Sequence, residues 1–194
     1  DQNEGKIDNN DSVKPQPSNQ SVYINYGLYI AMYTASRLCG CMQALKSTFQ
    51  NYWKFIFAIA LRAISSENFV AQRFQGWFFK NYCGLVEPLS SPDISKLFDD
   101  IGKDQDTVDE FFSKFRENYS EKFKNRDELI VSLDSTTINT HSQNNKYAEF
   151  GHPKDNKGLP NTNFAMFVDE TTSIPIFMEH FFGSLLDKSQ SPLT

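Results

Sequence analysis

The spacing of apolar residues changes character once along this chain, near residue 126. From Gly27 onward the apolar positions recur at helical intervals. Leu28, Met32, Ala35 and Leu38 share one face, and Gly40 is placed to stop that helix. Ala44, Leu45 and Phe49 suggest a short second helix. A third, with Asn51 as its cap, carries Trp53, Phe55, Ile56, Phe57, Ile59, Leu61 and Ile64 nearly all round, which is the pattern of a buried helix. Phe69, Phe74, Trp77 and Phe78 continue the stripe between Asn68 and Tyr82, and at that spacing they read as core. The run Ser90-Ser91-Pro92-Asp93 predicts a helix start, with a Ser cap, Pro at the first position and an acid facing the positive end of the dipole. Ile94, Leu97, Phe98 and Ile101 follow, and Gly102 ends that helix. Asp106 or Thr107 then opens a longer one bearing Val108, Phe111, Phe112, Phe115, Tyr119 and Phe123.

After residue 126 the pattern is that of strands. Leu129, Ile130, Val131 and Leu133 form a short run rich in β-branched residues, predicting a buried strand that ends at Asp134. Asn163–Val168 and Ile174–His180 are the next strands, joined by the turn residues 169–173. The chain therefore divides into a polar tail over 1–21 with too little apolar surface to order itself, a helical domain over 22–125, and a sheet-bearing part over 126–194. The class is α+β. Asp134, held on a rigid element at the mouth of a cleft, suits a divalent-metal ligand; the alternative is an Asp that starts the turn of Ser135-Thr136-Thr137.

Composition narrows the functional classes. With 194 residues, 39% hydrophobic, the chain can hold one substantial core or two small domains. The net charge of −5 excludes a protein that coats DNA through bulk charge, so DNA contact has to come from local patches. The two helices around Gly102-Lys103-Asp104-Gln105 have the outline of a helix-turn-helix, yet Lys114, Arg116, Lys122, Lys124 and Arg126 are interleaved with acids and give no clean basic face. An ordinary α-hairpin is the competing reading. Cys39, Cys41 and Cys83 read as reduced, mostly buried thiols. His141, His152 and His180 have no metal-ligand spacing. The longest apolar run, Phe55 to Leu61, is far short of the roughly 20 residues of a spanning helix. The chain begins at Asp1 without an initiator Met and reads as a processed or excised segment.

The order of motifs carries a resemblance. Asp134-Ser135-Thr136-Thr137 is followed by a polar segment containing Lys146, Glu149-Phe150-Gly151-His152, Lys154-Asp155, Lys157-Gly158 and Leu159-Pro160. Then come Asn163 to Asp169, Ile174-Pro175-Ile176-Phe177 and Phe182-Gly183-Ser184 with Asp187-Lys188. This succession resembles the DDE-type insertion-sequence transposases, in the branch related to insertion sequence four, over about Tyr26 to Lys188 and most densely from Leu129 onward.

The resemblance implies that the three strands are the first, mutually antiparallel strands of an incomplete RNase H-like sheet. It implies phosphoryl transfer on DNA by two divalent ions, Mg2+ or Mn2+, held by three carboxylates. Asp134 maps onto the first of them, as catalytic residue and metal ligand. Family members supply a second Asp and a Glu from later elements; Asp169, Glu170, Glu179 and Asp187 do not match those positions, so residues 1–194 are expected to be inactive alone and to bind metal weakly. Lys146, Lys154 and Lys157, in a loop that lies beside the active site in the family, are candidate DNA-phosphate contacts, with solvated surface lysine the alternative. The partner implied is the terminal-repeat DNA of a mobile element in a bacterial cytoplasm, with no membrane. An unpaired strand edge and an uncovered apolar face predict self-association or a homodimer. A non-catalytic DNA-binding or interaction module, or a truncated transposase remnant, is the competing reading.

Overall fold

The computed structural model describes residues 23–66, 69–141, 145–151 and 158–185. The expected polar tail, His152, Lys154, Lys157 and Asp187 lie outside the described residues. Six α-helices precede three strands: α1 (Gly27–Leu38), α2 (Cys41–Thr48), α3 (Trp53–Ile64), α4 (Phe74–Phe78, entered through a 3-10 turn over Ala71–Arg73), α5 (Ser91–Gly102), α6 (Gln105–Lys122), β1 (Val131–Asn139), β2 (Asn161–Asp169) and β3 (Ile174–Phe182). The fold is α+β, and the strands form one antiparallel sheet in the order β1-β2-β3.

The helical core forms where the apolar pattern predicts it. Met42, Leu61, Phe74 and Ile94 are its most deeply buried large side chains, with Trp77 and Phe78 packed against the cluster. Gly40 separates α1 from α2 for two reasons. Its φ of +88° is open to glycine, and a Cβ there would come within 2.6 Å of the Asn118 Cβ on α6. Cys83 is buried and Cys39 and Cys41 are half-buried, all as free thiols. Burial, with Cys39 adding to it, pushes the Cys41 thiol up to about 11, which makes it a packing residue and not a nucleophile.

Several element boundaries differ from the sequence expectation by a residue or more. Ser90 caps α5 in a capping box, its Oγ accepting from the Asp93 N–H at 3.3 Å while the Ser90 N–H donates to the Asp93 carboxylate at 3.0 Å, so Pro92 stands second in the helix. Gly102 lies inside α5. Asp104, not Asp106 or Thr107, opens α6, its carboxylate accepting from the Thr107 N–H at 3.0 Å.

The larger correction concerns β1. It starts two residues later than expected and continues to Asn139, so Asp134 sits fourth of nine and not at the strand's end. The apolar run is also not buried: Leu129, Ile130, Val131 and Leu133 are 54%, 52%, 38% and 45% exposed. The reason is topological. Among the described residues β1 has a partner on one side only, and α6 packs on the opposite margin, against β3.

Helix α6 joins the two halves. Phe115 and Tyr119 form a second buried cluster with Ala44 of α2 and Ile176 of β3, and Phe112 meets Phe177 edge-on, with ring centroids 5.7 Å apart. The apolar face of α6 is thus spent on packing against α2 and the sheet. A bulge at Phe167/Val168 lets Ile176 and Phe177 both point toward α6. This inner face then carries Leu133, Phe167 and Phe177 in one row and Ser135, Ala165 and Glu179 in the next.

Candidate functional site

Strand alternation places Asp134 on the outer face, away from α6. Its row across the sheet is Asp134, Met166, Met178, and its neighbours along β1 on that face are Ser132 and Thr136. The carboxylate is exposed. Among the described residues no group of three or more His, Cys, Asp or Glu side chains could hold a metal ion. What Asp134 offers by itself is one carboxylate flanked by hydroxyls on an open, largely apolar surface, a donor set that holds a divalent ion only with further carboxylates.

The outer face also receives the one described lysine of the three singled out from sequence. Lys146 is exposed, its ammonium 4.9 Å from the ring centre of Tyr147. Tyr147 in turn lies on His180 and Phe182 of β3, with centroids 4.1 and 5.2 Å apart. Two strand spacings separate β3 from β1, roughly 10 Å, so Lys146 and Asp134 share a face without touching. His180 is sandwiched, stacked on Phe164 at 4.3 Å with rings 5° from parallel and hydrogen bonded through Nε2 to Thr162 Oγ1. Burial, with the Lys146 charge adding to it, holds its imidazole below the ordinary value. Thr162 is buried, which makes this pair a structural contact and not an accessible nucleophile.

Three separated motifs converge at the far end of the sheet. Glu149 bridges Asn161 through paired backbone hydrogen bonds of 3.0 and 2.9 Å. The fully buried Asn161 side chain accepts from the Gly151 N–H at 3.1 Å and donates to the Gly183 carbonyl at 3.0 Å. Asn163 donates to the carbonyls of Phe182 at 3.2 Å and Leu185 at 2.8 Å, and Ser184 donates to Glu149. The glycines are required by proximity. A Cβ on Gly151 would lie 1.8 Å from the Gly183 oxygen, and one on Gly183 would lie 1.8 Å from the Asn161 oxygen. Residues 149–151 of the polar loop are thereby pinned to the sheet beside two buried amides, of which the sequence singles out Asn163 as a motif position but not Asn161.

A second buried polar site has no counterpart in the sequence reading. Asp169, by sequence a turn residue, is fully buried at the opposite end of β2. Its Oδ1 accepts from Arg126 Nη2 at 3.0 Å and from the Thr171 N–H at 2.9 Å. Its Oδ2 accepts from Arg126 Nη1 and from the Tyr119 hydroxyl. The Arg126 hydrogen bonds hold the Asp169 carboxyl well below the usual carboxylate range, against the opposing effect of burial. Burial and the bond to Asp169 push the Tyr119 phenol up. This arrangement ties the end of α6 to the β2–β3 turn. Because Val131 pairs with Asp169, it also fixes where β1 begins.

No protein-family model, curated protein or solved structure matches the chain. Among the described residues no helix is long and apolar enough to cross a membrane.

Proposed function

We propose that this chain is part of a DDE-type transposase, its sheet the opening strands of an RNase H-like core and Asp134 the first of the carboxylates that hold the catalytic metal ions. The reading is supported above all by one observation: the motif residues Glu149–Gly151, Asn163 and Gly183–Ser184 pack together around the buried Asn161 beside an all-antiparallel sheet whose first strand carries Asp134. The residues around Asp134 fit Mg2+ or Mn2+ only in part, as one exposed carboxylate with Ser132 and Thr136 beside it. Bound there, such ions would activate a water or a DNA 3′-hydroxyl and stabilise the departing oxygen. The chain's own contribution is to hold the Asp134 carboxylate on a paired strand, with Lys146 on the same face as a phosphate contact; Lys154 and Lys157 keep that role as an expectation from sequence.

The 194-residue chain alone should show no Mn2+-dependent nicking of supercoiled DNA. A longer product supplying the second Asp and the Glu should nick, and Asp134→Ala should abolish that activity while leaving the fold intact. Nicking that survives Asp134→Ala refutes the assignment. An interaction module is the second reading, favoured by the exposed apolar side chains of Leu129, Ile130, Leu133 and Ile138 along β1.

A further inference from the structure

β3 forms one margin of the sheet, and among the described residues no strand pairs with it on its outer side. Along that margin runs a cleft of about 600 Å3 between β3 and the first half of α6. Four consecutive strand residues, Phe177, Met178, Glu179 and His180, line it. Consecutive residues of a strand point to opposite faces, so a cleft that touches all four follows the strand's edge and not one face. An open edge of this kind is a template for another strand. Two charges stand on it. Arg116 of α6 holds its guanidinium 5.1 Å from the Phe177 ring centre. Neither Arg116 nor Glu179 is in an ion pair among the described residues, and both are exposed.

We propose that a second copy of this chain seats on this edge, β3 pairing antiparallel with β3 of its partner about a two-fold axis at Met178, so that two three-stranded sheets become one. The charges select this occupant. With Met178 on the axis, Phe177 lies opposite the partner's Glu179, which brings Arg116, resting over Phe177, to that carboxylate; the same operator makes the pair a second time. One edge thus supplies both halves of its own complement, as an isologous interface requires. The half-buried Phe177 and exposed Met178 give the contact an apolar centre. Pro175 has no N–H, and the two-fold axis sets one Pro175 at each end of the paired stretch. A chain of net charge −5 repels its copy in general, so association depends on such a local match.

The test is the mass of the full chain by sedimentation equilibrium from micromolar to millimolar concentration, for wild type, Arg116→Glu, Glu179→Arg and the double reversal. The expected result is a wild-type dimer, weakened by roughly tenfold or more in each single variant and restored in R116E/E179R. Far-UV circular dichroism and thermal unfolding of the single variants should match wild type, since both side chains are exposed. Amide exchange at Met178 and its neighbours should slow as concentration rises. A monomer throughout overturns the proposal. So does a dimer that ignores both reversals, which places the contact on the β1 edge, and so does failure of the double variant to recover.

Discussion

Asp169→Asn is the most informative single substitution, because it removes one charge from the buried site that joins α6 to the sheet and leaves the shape nearly unchanged. The native carboxylate accepts four hydrogen bonds, from both terminal nitrogens of Arg126, from the Tyr119 hydroxyl and from the Thr171 N–H. An amide accepts on one atom only, and its NH2 then faces at least one N–H donor of Arg126 whichever way it is turned. Breaking a buried pair from one side costs about 3–5 kcal/mol in general. Two features move this case toward the lower end. Arg126 retains 23% side-chain exposure and can turn to water, and the Tyr119 hydroxyl has Thr172 Oγ1 within 2.7 Å as a second partner. The expected loss is therefore about 3 kcal/mol at pH 7, a large share of a small domain's stability. Urea unfolding followed by tryptophan fluorescence measures it. The pH dependence supplies an independent check. A carboxyl whose folded pKa is depressed contributes stability above its unfolded value, about 3.9, and loses it as pH falls toward the folded one. The difference between wild type and Asp169→Asn should be constant from pH 7 to about 5 and shrink below about 4. A variant within about 0.5 kcal/mol of wild type at pH 7, or a difference that widens in acid, would refute the reasoning.

Other substitutions test the remaining parts. Gly183→Ala puts a methyl 1.8 Å from the Asn161 oxygen and should cost about 3 kcal/mol or abolish folding; wild-type stability in a thermal melt would mean that the loop ends are not held as described. Ser90→Ala removes the acceptor of the capping box on α5 and should cost about 1 kcal/mol, read from the urea midpoint at constant slope. Asp134→Asn, at an exposed position, should change stability by less than about 0.5 kcal/mol, so any loss of nicking in a longer active product would report chemistry and not unfolding. Tyr119→Phe should cost about 1.5 kcal/mol, less than Asp169→Asn, because the Arg126 contacts survive.

What could be read from sequence was whatever is decided within a few residues. Ser90 with Asp93, Gly40 after Leu38, and the alternation of β2 and β3 around the turn at 169–173 each specify their structure locally, and the elements stand where expected to within a few residues. The second reason for Gly40, its approach to Asn118, depends on a contact across 78 positions that no local pattern reveals. Asp169 was illegible for the same reason. At the end of a strand, before Glu170 and two threonines, it has the local signature of a turn, and only the folded chain brings Arg126 and Tyr119 to it. A signal was available in Arg126, which stands five residues before a strand whose partner ends in an acid. The error at β1 arose differently: an apolar run states that burial is favourable, but not whether a neighbour exists to provide it.

The exposed run at β1 bears on Asp134 as well. Helix α6 fills the inner face above β3, and the loop ends pinned by Asn161 and Asn163 close its far end. Asp134, Met166 and Met178 face the other way. A group completing a metal site at Asp134 therefore has to arrive over the outer face or along the free edge of β1, and both approaches are lined by apolar side chains, Ile138 and Met178 on the face and Leu129 and Leu133 along the edge. If Asp134 ligates metal as proposed, covering those side chains and supplying further carboxylates are one requirement. A strand that pairs with β1 removes apolar surface from water and at the same time brings its own residues to within one strand spacing, roughly 5 Å, of Asp134. On this reasoning metal affinity at Asp134 and protection of the β1 amides rise together, and a segment that restored one without the other would show that the apolar edge serves packing alone.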